Sequence, residues 1–113
     1  MATLSWTGVY PAATTQFAED LSVDYEATAG VQDALIRDGV DGLILLGTCG
    51  ENNSLEPEEK RAVLDRARSA VAGRVPVITG VSELTTKRAV AFARDAEALG
   101  VDGLMLLPAM VYV

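Results

Sequence analysis

The chain has 113 residues, 50% of them hydrophobic and 22% charged, which is enough for one globular domain and excludes a disordered chain. Its formal net charge of −7, without any long basic run, argues against nucleic acid and anionic membrane surfaces as partners. The single cysteine, Cys49, and the lack of histidine exclude an internal disulfide, a zinc site and an imidazole-based triad. We therefore expect neither a metal nor a cofactor.

The start of the chain gives no sign of export. Residues 1–6 have neither the basic nor the apolar region of a secretory signal peptide. No apolar run approaches the ~20 residues that a membrane-spanning helix requires. The sequence therefore predicts a cytoplasmic protein without a membrane partner.

Three helices are predicted between short apolar segments. They cover residues 24–37, 57–72, and 85 or 86 to 99. Asp24 is a suitable N-cap for the first helix, and Pro57 occupies a first-turn position of the second, where its missing N–H costs little. Gly39 and Gly100 stand at the left-handed stop positions after the first and third helices.

Four strands are predicted around these helices, over residues 8–11, 43–46, 75–79 and 104–107, and the first of them has the weakest pattern. The later three are apolar on both faces, as is typical of parallel strands that are covered on both sides. Strands and helices that alternate with short loops indicate a βαβαβαβ order. Two folds share this order, the doubly wound open sheet and the eight-stranded barrel.

An internal repeat locates the part of the chain where function is expected. Residues 39–46, Gly-Val-Asp-Gly-Leu-Ile-Leu-Leu, recur at 100–107 with a single change, and a repeat of this kind is architectural. Function should therefore lie where the two copies diverge, directly after the strand. The first copy continues as Gly-Thr-Cys-Gly-Glu over residues 47–51, and the second as Pro-Ala-Met-Val-Tyr over residues 108–112.

The segment 47–51 resembles the Gly-Thr-Thr-Gly-Glu motif of the dihydrodipicolinate synthase and N-acetylneuraminate lyase family. Thr15-Gln16-Phe17 is similar to the Thr-Pro-Phe turn of that family, and residues 74–80 are similar to its third strand. The resemblance implies the N-terminal half of a TIM (β/α)8 barrel, with strands one to four and helices one to three. Residues 1–113 would then form a partial barrel domain that is truncated after strand four.

The same resemblance implies class I aldolase chemistry, in which pyruvate or a 2-keto acid is held as a Schiff base on a lysine. The family's Schiff-base lysine lies on strand six and its proton-relay tyrosine on strand five, so no catalytic residue is expected in this chain. Lys60 and Lys87 are its only lysines. Both fall on the polar side of predicted helix starts, and we expect both to be solvated rather than desolvated as a Schiff-base lysine must be.

Residues 47–50 are the predicted substrate-binding loop. Successive N–H groups between Gly47 and Gly50 can form an anion-binding nest for the carboxylate of a keto acid, and the Thr48 hydroxyl adds a donor. Cys49 replaces the second hydroxyl of the family, and a thiol is a weaker donor. We expect Cys49 to be partly buried and inert, and Glu51 to fix the loop through a hydrogen-bonded carboxylate. Taken alone, the pattern also fits a strand-to-helix turn without a ligand.

Three further residues are candidates for the lining of the site. Thr79 and Gly80 end the third predicted strand, at the barrel face where active sites of this fold lie, although a plain strand-end turn fits equally well. Met110 follows the fourth strand, in Pro108-Ala109-Met110, where dihydrodipicolinate synthases carry Pro-Tyr-Tyr. This difference, together with Cys49, favours a related activity, aldol cleavage or dehydration of a 2-keto-3-deoxy acid.

Two hypotheses of different classes follow from the sequence. The first is the N-terminal part of a pyruvate-dependent aldolase or lyase. The second is a non-catalytic half-barrel that acts as an assembly or binding module, pairing with itself or with a separate C-terminal half. A homo-oligomer is expected in either case, because unpaired strands at the two ends of a half-barrel promote association.

Overall fold

Residues 5–109 are described by the computed structural model, in which helices alternate with strands. The elements in chain order are α1 Tyr25–Arg37, β1 Leu43–Leu45, a short 3-10 helix Asn52–Ser54, α2 Pro57–Val71, β2 Val77–Val81, α3 Thr86–Ala98 and β3 Gly103–Leu106. All three predicted helices are confirmed. Within residues 5–109, no helix combines the length and the apolar character needed to cross a membrane.

The strands form one parallel sheet in the order β1-β2-β3. Its register pairs Leu45 with Thr79, and Thr79 with Leu104, across the three strands. The β2 strand begins two residues later than predicted, because Pro76 has no N–H to donate to a neighbouring strand. Because parallel strands end at one edge of the sheet, the loops that follow β1, β2 and β3 lie together.

The prediction of a regular strand over residues 8–11 is wrong, although this segment does lie beside β1. The Pro11 carbonyl accepts from Ile44 N–H at 2.9 Å, and Ala13 N–H donates to the Ile44 carbonyl at 2.9 Å. The pairing amounts only to an isolated bridge between Ala12 and Ile44. Pro11 cannot donate the next bond of a ladder, and Gly8 takes a φ of +90° that strands do not use.

Side chains at the helix starts explain where the helices begin. The Asp24 carboxylate accepts from Ala27 N–H at 2.9 Å, and the Thr85 hydroxyl accepts from Arg88 N–H at 3.1 Å. At α2, Glu56 and Glu59 form a capping box around the N-terminus. These contacts satisfy N–H groups that have no partner within the helix.

The core lies between the sheet and the helices α2 and α3. The strands contribute Leu43, Leu45, Val77 and Val81 to it, and the helices contribute Val63, Leu64, Ala67, Val71, Phe92 and Ala96. Phe92 and Leu43 are among the largest fully buried side chains. The apolar stripe predicted on α2 is therefore the face that holds this helix on the sheet.

The β3 strand is much less covered than the other two. Leu104, Met105 and Leu106 are 40%, 37% and 69% exposed, whereas all five residues of β2 are buried. An open apolar cleft of about 350 Å³ adjoins it, and Trp6, Tyr10, Ile44, Ile78 and Met105 are among the residues that line this cleft. In the described part of the chain, apolar surface is thus left exposed at one edge of the sheet.

The two copies of the internal repeat perform the same structural task. Asp41, just before β1, accepts from Val9 N–H at 2.7 Å, and its own N–H donates to the Val9 carbonyl at 2.9 Å. Asp102, just before β3, exchanges the same two bonds with Val77, at 2.9 and 2.7 Å. Each repeat therefore fastens its strand to the extended segment that precedes it in the chain.

We predict that the isolated chain associates rather than remaining a compact monomer, because the open β3 edge can pair with another chain. Light scattering should give a mass above 11.9 kDa. Leu106→Lys, which places a charge on the exposed edge, should shift the protein towards the monomer. Glu97→Lys, on the exposed part of α3, is the control and should not. A monodisperse wild-type monomer whose β3 amides are protected from hydrogen exchange would contradict the prediction.

Candidate functional site

The loop over residues 47–50 is bracketed by two residues in an unfavourable backbone conformation. Leu46 and Glu51 have φ of +55° and +57°, in the left-handed region that residues other than glycine rarely adopt. Leu46 thereby ends β1 one residue earlier than predicted. Such residues cost about 1–3 kcal/mol each, persist only where surrounding contacts hold them, and occur often at functional sites.

Two buried side chains hold this loop in place through hydrogen bonds to its backbone. Thr15, 6% exposed, donates its hydroxyl to the Gly50 carbonyl at 2.7 Å. Asn52, 4% exposed, donates its amide to the Leu46 carbonyl at 2.8 Å and lies 3.5 Å from the Gly80 carbonyl. The loop is thus fixed to the N-terminal segment on one side and to the end of β2 on the other.

Two glycines allow the backbone to approach closely enough for these bonds. A Cβ on Gly80 would overlap the carbonyl oxygen of Leu46. A Cβ on Gly50 would lie 2.8 Å from the backbone nitrogen of Leu46, which real Cβ atoms do not tolerate. Packing alone therefore requires glycine at both positions, whatever the loop binds.

The tip of the loop presents hydrogen-bond donors. Thr48 and Cys49 are exposed, while Gly47 and Gly50 are buried. None of the hydrogen bonds within residues 5–109 is donated by the backbone N–H of Thr48, Cys49 or Gly50, whereas Glu51 N–H donates back to the Thr48 carbonyl at 3.0 Å. Successive N–H groups of this kind can bind an anion such as a carboxylate.

Two expectations about this loop are wrong. Cys49 is exposed rather than partly buried, because it occupies the outermost turn between the buried residues Gly47 and Gly50. Glu51 is also exposed, and its carboxylate forms none of the side-chain hydrogen bonds found in the described range. The loop is fixed by Thr15 and Asn52 instead, and the sequence does not predict this role for either residue.

The other predicted site residues differ in their position relative to the loop. Gly80 lies against Leu46, whereas Thr79 is completely buried in β2 and donates its hydroxyl to the Gly80 carbonyl at 3.1 Å. Met110 lies outside the described residues.

An open cleft of about 210 Å³ lies beside the loop. It is lined by Gly47, Thr48, Glu51, Asn52, Asn53, Ser54, Ser82 and Leu107. Between residues 5 and 109, no three His, Cys, Asp or Glu side chains converge closely enough to hold a metal ion.

Lys60 is buried, so the expectation that it is solvated is wrong. It is 5% exposed, and its Nζ lies 3.1 Å from Glu83 Oε1, just beyond the end of β2. The first turns of α2 cover the carboxyl end of the sheet, and Glu83 supplies the opposite charge that a buried ammonium group requires. Lys87 is exposed, as expected.

The chain matches the sequence model of the dihydrodipicolinate synthetase family over residues 5–111. It belongs to this family. The strained, glycine-flanked loop after β1 lies within the matched residues.

Curated relatives of the family share about two fifths of their residues with this chain. A DapA-like lyase of Rhizobium meliloti is 41% identical over 91% of the chain and 34% of its own length. A 4-hydroxy-tetrahydrodipicolinate synthase of Salinibacter ruber is 42% identical over 88% and 33%. A probable 2-dehydro-3-deoxy-D-pentonate aldolase of Escherichia coli is 38% identical over 90% and 34%. The chain thus spans about a third of the length of these relatives.

Solved structures of the family superpose well on the chain. YagE of Escherichia coli K12, determined in complex with pyruvate, gives a TM-score of 0.84 at 36% identity over 89% of this chain and 34% of its own. N-acetylneuraminate lyase of Mycoplasma synoviae gives 0.88 at 28% identity over 94% and 37%. The fold is therefore the N-terminal part of a TIM barrel, and the doubly wound sheet is excluded.

Gly80→Ala should destabilise the protein by about 2–3 kcal/mol, because the added methyl group forces the Leu46 carbonyl away from β2. Gly30→Ala is the matched control, since a Cβ at Gly30 in α1 meets no atom within 4 Å. It should stabilise the chain by about 0.5–1 kcal/mol. Urea denaturation compares the two, and equal effects would show that the approach of Leu46 to Gly80 is not tight.

Lys60→Met should cost about 2–3 kcal/mol of unfolding free energy, because it leaves the largely buried Glu83 carboxylate without its partner. Lys87→Met, at the exposed lysine, should change stability by less than about 0.5 kcal/mol. Adding Glu83→Gln to Lys60→Met should recover part of the loss in the same urea experiment. A loss that Glu83→Gln does not reduce would contradict the pairing.

Proposed function

We propose that the chain is the N-terminal part of a cytoplasmic lyase that holds pyruvate or a 2-keto-3-deoxy acid as a Schiff base. In this proposal residues 47–50 bind the carboxylate of the keto acid. The supporting observation is that the N–H groups of Thr48, Cys49 and Gly50 donate no hydrogen bond within residues 5–109, on a strained loop that buried side chains hold in place. Nucleic acid and membranes are not proposed as partners.

Physical chemistry gives this loop a preference for a carboxylate. Backbone N–H groups that point into one turn act as fixed dipoles, and they bind an anion without having to reorganise. The Thr48 hydroxyl can add a charge-assisted hydrogen bond. The Cys49 thiol adds less than the hydroxyl that the family motif carries there, but the backbone donors do not depend on the side chain.

The covalent step is proposed to need groups beyond those in this chain. A Schiff-base lysine must present an unprotonated amine in a desolvated site. Lys60 is engaged by Glu83, and Lys87 is exposed on α3. Neither lysine suits nucleophilic attack on a ketone, so the chain by itself is proposed to bind substrate without converting it.

Within the family, we favour an aldolase or dehydratase acting on a 2-keto-3-deoxy acid over the synthase of lysine biosynthesis. Cys49 replaces a hydroxyl of the family motif, and Pro108-Ala109-Met110 replaces the Pro-Tyr-Tyr that dihydrodipicolinate synthases carry. The relative named as a pentonate aldolase is 38% identical and the one named as a synthase is 42% identical. Identity does not separate the two activities, so the preference rests on these loop residues.

The second candidate function is a non-catalytic half-barrel that serves as an assembly or binding module. The observation that favours it is the exposed apolar strand β3 with the cleft beside Trp6 and Tyr10. The partner would be a second copy or a separate C-terminal half, either of which could cover this surface. Under both functions, residues 1–113 act as one partial barrel domain.

Pyruvate is expected to bind the isolated chain with a dissociation constant in the millimolar range or weaker, about −4 kcal/mol at best. A few hydrogen bonds in an open, hydrated cleft compete poorly with water. NMR titration should shift the amides of Thr48, Cys49 and Gly50 with pyruvate, but not with methyl pyruvate, which lacks the carboxylate. Equal shifts with both compounds, or no shift with either, would refute carboxylate binding by the loop.

Borohydride reduction in the presence of pyruvate provides a separate test of the covalent step. Mass spectrometry should find Lys60 and Lys87 unmodified. A trapped adduct on either lysine would show that the isolated chain carries out Schiff-base chemistry itself.

A further inference from the structure

One buried amide group lies beneath the proposed substrate loop. Asn52 is 4% exposed, and its Nδ2 is 2.8 Å from the Leu46 carbonyl and 3.5 Å from the Gly80 carbonyl. The Leu46 carbonyl directly follows β1, and the Gly80 carbonyl belongs to the last but one residue of β2. A single donor group therefore lies between the two strand ends.

The two carbonyls need such a donor. Leu46 packs so closely on Gly80 that a Cβ at Gly80 would overlap the Leu46 oxygen, and both residues are buried. A buried carbonyl oxygen needs a hydrogen-bond donor from the protein, because water has little access to it. The Thr79 hydroxyl also donates to the Gly80 carbonyl, at 3.1 Å, so the bond that the Asn52 amide makes at 2.8 Å to the Leu46 carbonyl is its main contribution.

Asn52 is also the buried side chain that links the two strained ends of the loop. It directly follows Glu51 and bonds to Leu46, and these are the two residues with left-handed φ. Its Oδ1 is buried without a hydrogen-bond partner among the described residues. Burying an unsatisfied acceptor is unfavourable, so packing alone does not favour an asparagine at this position.

We infer that Asn52 is a positioning residue: it sets the conformation in which the N–H groups of residues 48–50 face a bound carboxylate. This inference rests on the proposed function of the loop. Asn52 acts through its hydrogen bond to the backbone of Leu46. Without its amide, the strained loop would relax away from the conformation that carboxylate binding is proposed to need.

The test compares Asn52→Ala with Ser69→Ala, a control at an exposed residue of α2 that is not among the residues lining the cleft beside the loop. Amide hydrogen exchange, followed by NMR, should speed up at least about tenfold in Asn52→Ala only at Glu51 and Ser54, whose N–H groups donate hydrogen bonds within this loop region. The amides of Val77 and Ile78 should change by less than about twofold, because a local opening of the loop leaves the sheet intact. Asn52→Ser, whose hydroxyl reaches at most one of the two carbonyls, should give an intermediate effect at the same amides.

Pyruvate titration of the same variants supplies a readout that general stability does not move. The amide shifts of residues 48–50 should shrink at least about threefold in Asn52→Ala and remain as in wild type in Ser69→Ala. If wild type itself shows no pyruvate shift, the proposed function fails, while the exchange comparison still decides whether Asn52 holds the loop. Exchange that rises equally in loop and sheet, or equally in Asn52→Ala and Ser69→Ala, overturns the inference.

Discussion

The close contact between the Leu46 carbonyl and Gly80 determines the arrangement of the carboxyl end of the sheet. It requires a residue without a side chain in β2, and it brings the end of β1 against its neighbour. From there the chain must turn at once, so Leu46 and Glu51 take left-handed conformations on either side of residues 47–50. The loop is therefore a consequence of strand packing, and that packing leaves the N–H groups of residues 48–50 without an acceptor among the residues that the structure describes.

Polar groups near this edge are paired across long sequence distances. Thr15 reaches Gly50, Asn52 reaches Gly80, and Lys60 reaches Glu83. Each pair joins two different parts of the fold, so the edge depends on the whole domain being assembled. A buried ion pair contributes little net stability compared with apolar packing, but it penalises any arrangement that separates the two charges. The same edge that carries the candidate site is thus held in one geometry.

Local features of the sequence predicted most of the fold. Helix starts and stops depend on neighbouring residues, so Asp24, Pro57 and Gly100 were informative without any tertiary contact. The predictions that failed concern features that depend on residues far away in the sequence or on local backbone chemistry. The burial of Lys60 requires Glu83 from the loop after β2, and no periodicity within α2 reveals that. The incomplete strand at residues 8–11 follows from Pro11, whose missing N–H outweighed the favourable apolar pattern.

The loop illustrates the same division. Its location and its glycines were predicted from the motif, but its supports, Thr15 and Asn52, were not.

The paired bonds of Asp41 and Asp102 carry one more consequence. Each aspartate fastens to a segment that precedes it in the chain, Val9 in one case and Val77 in the other. Each of these two strands is thus bonded to a segment that is synthesised before it. The sheet can therefore form in the order of translation, starting from the N-terminal segment.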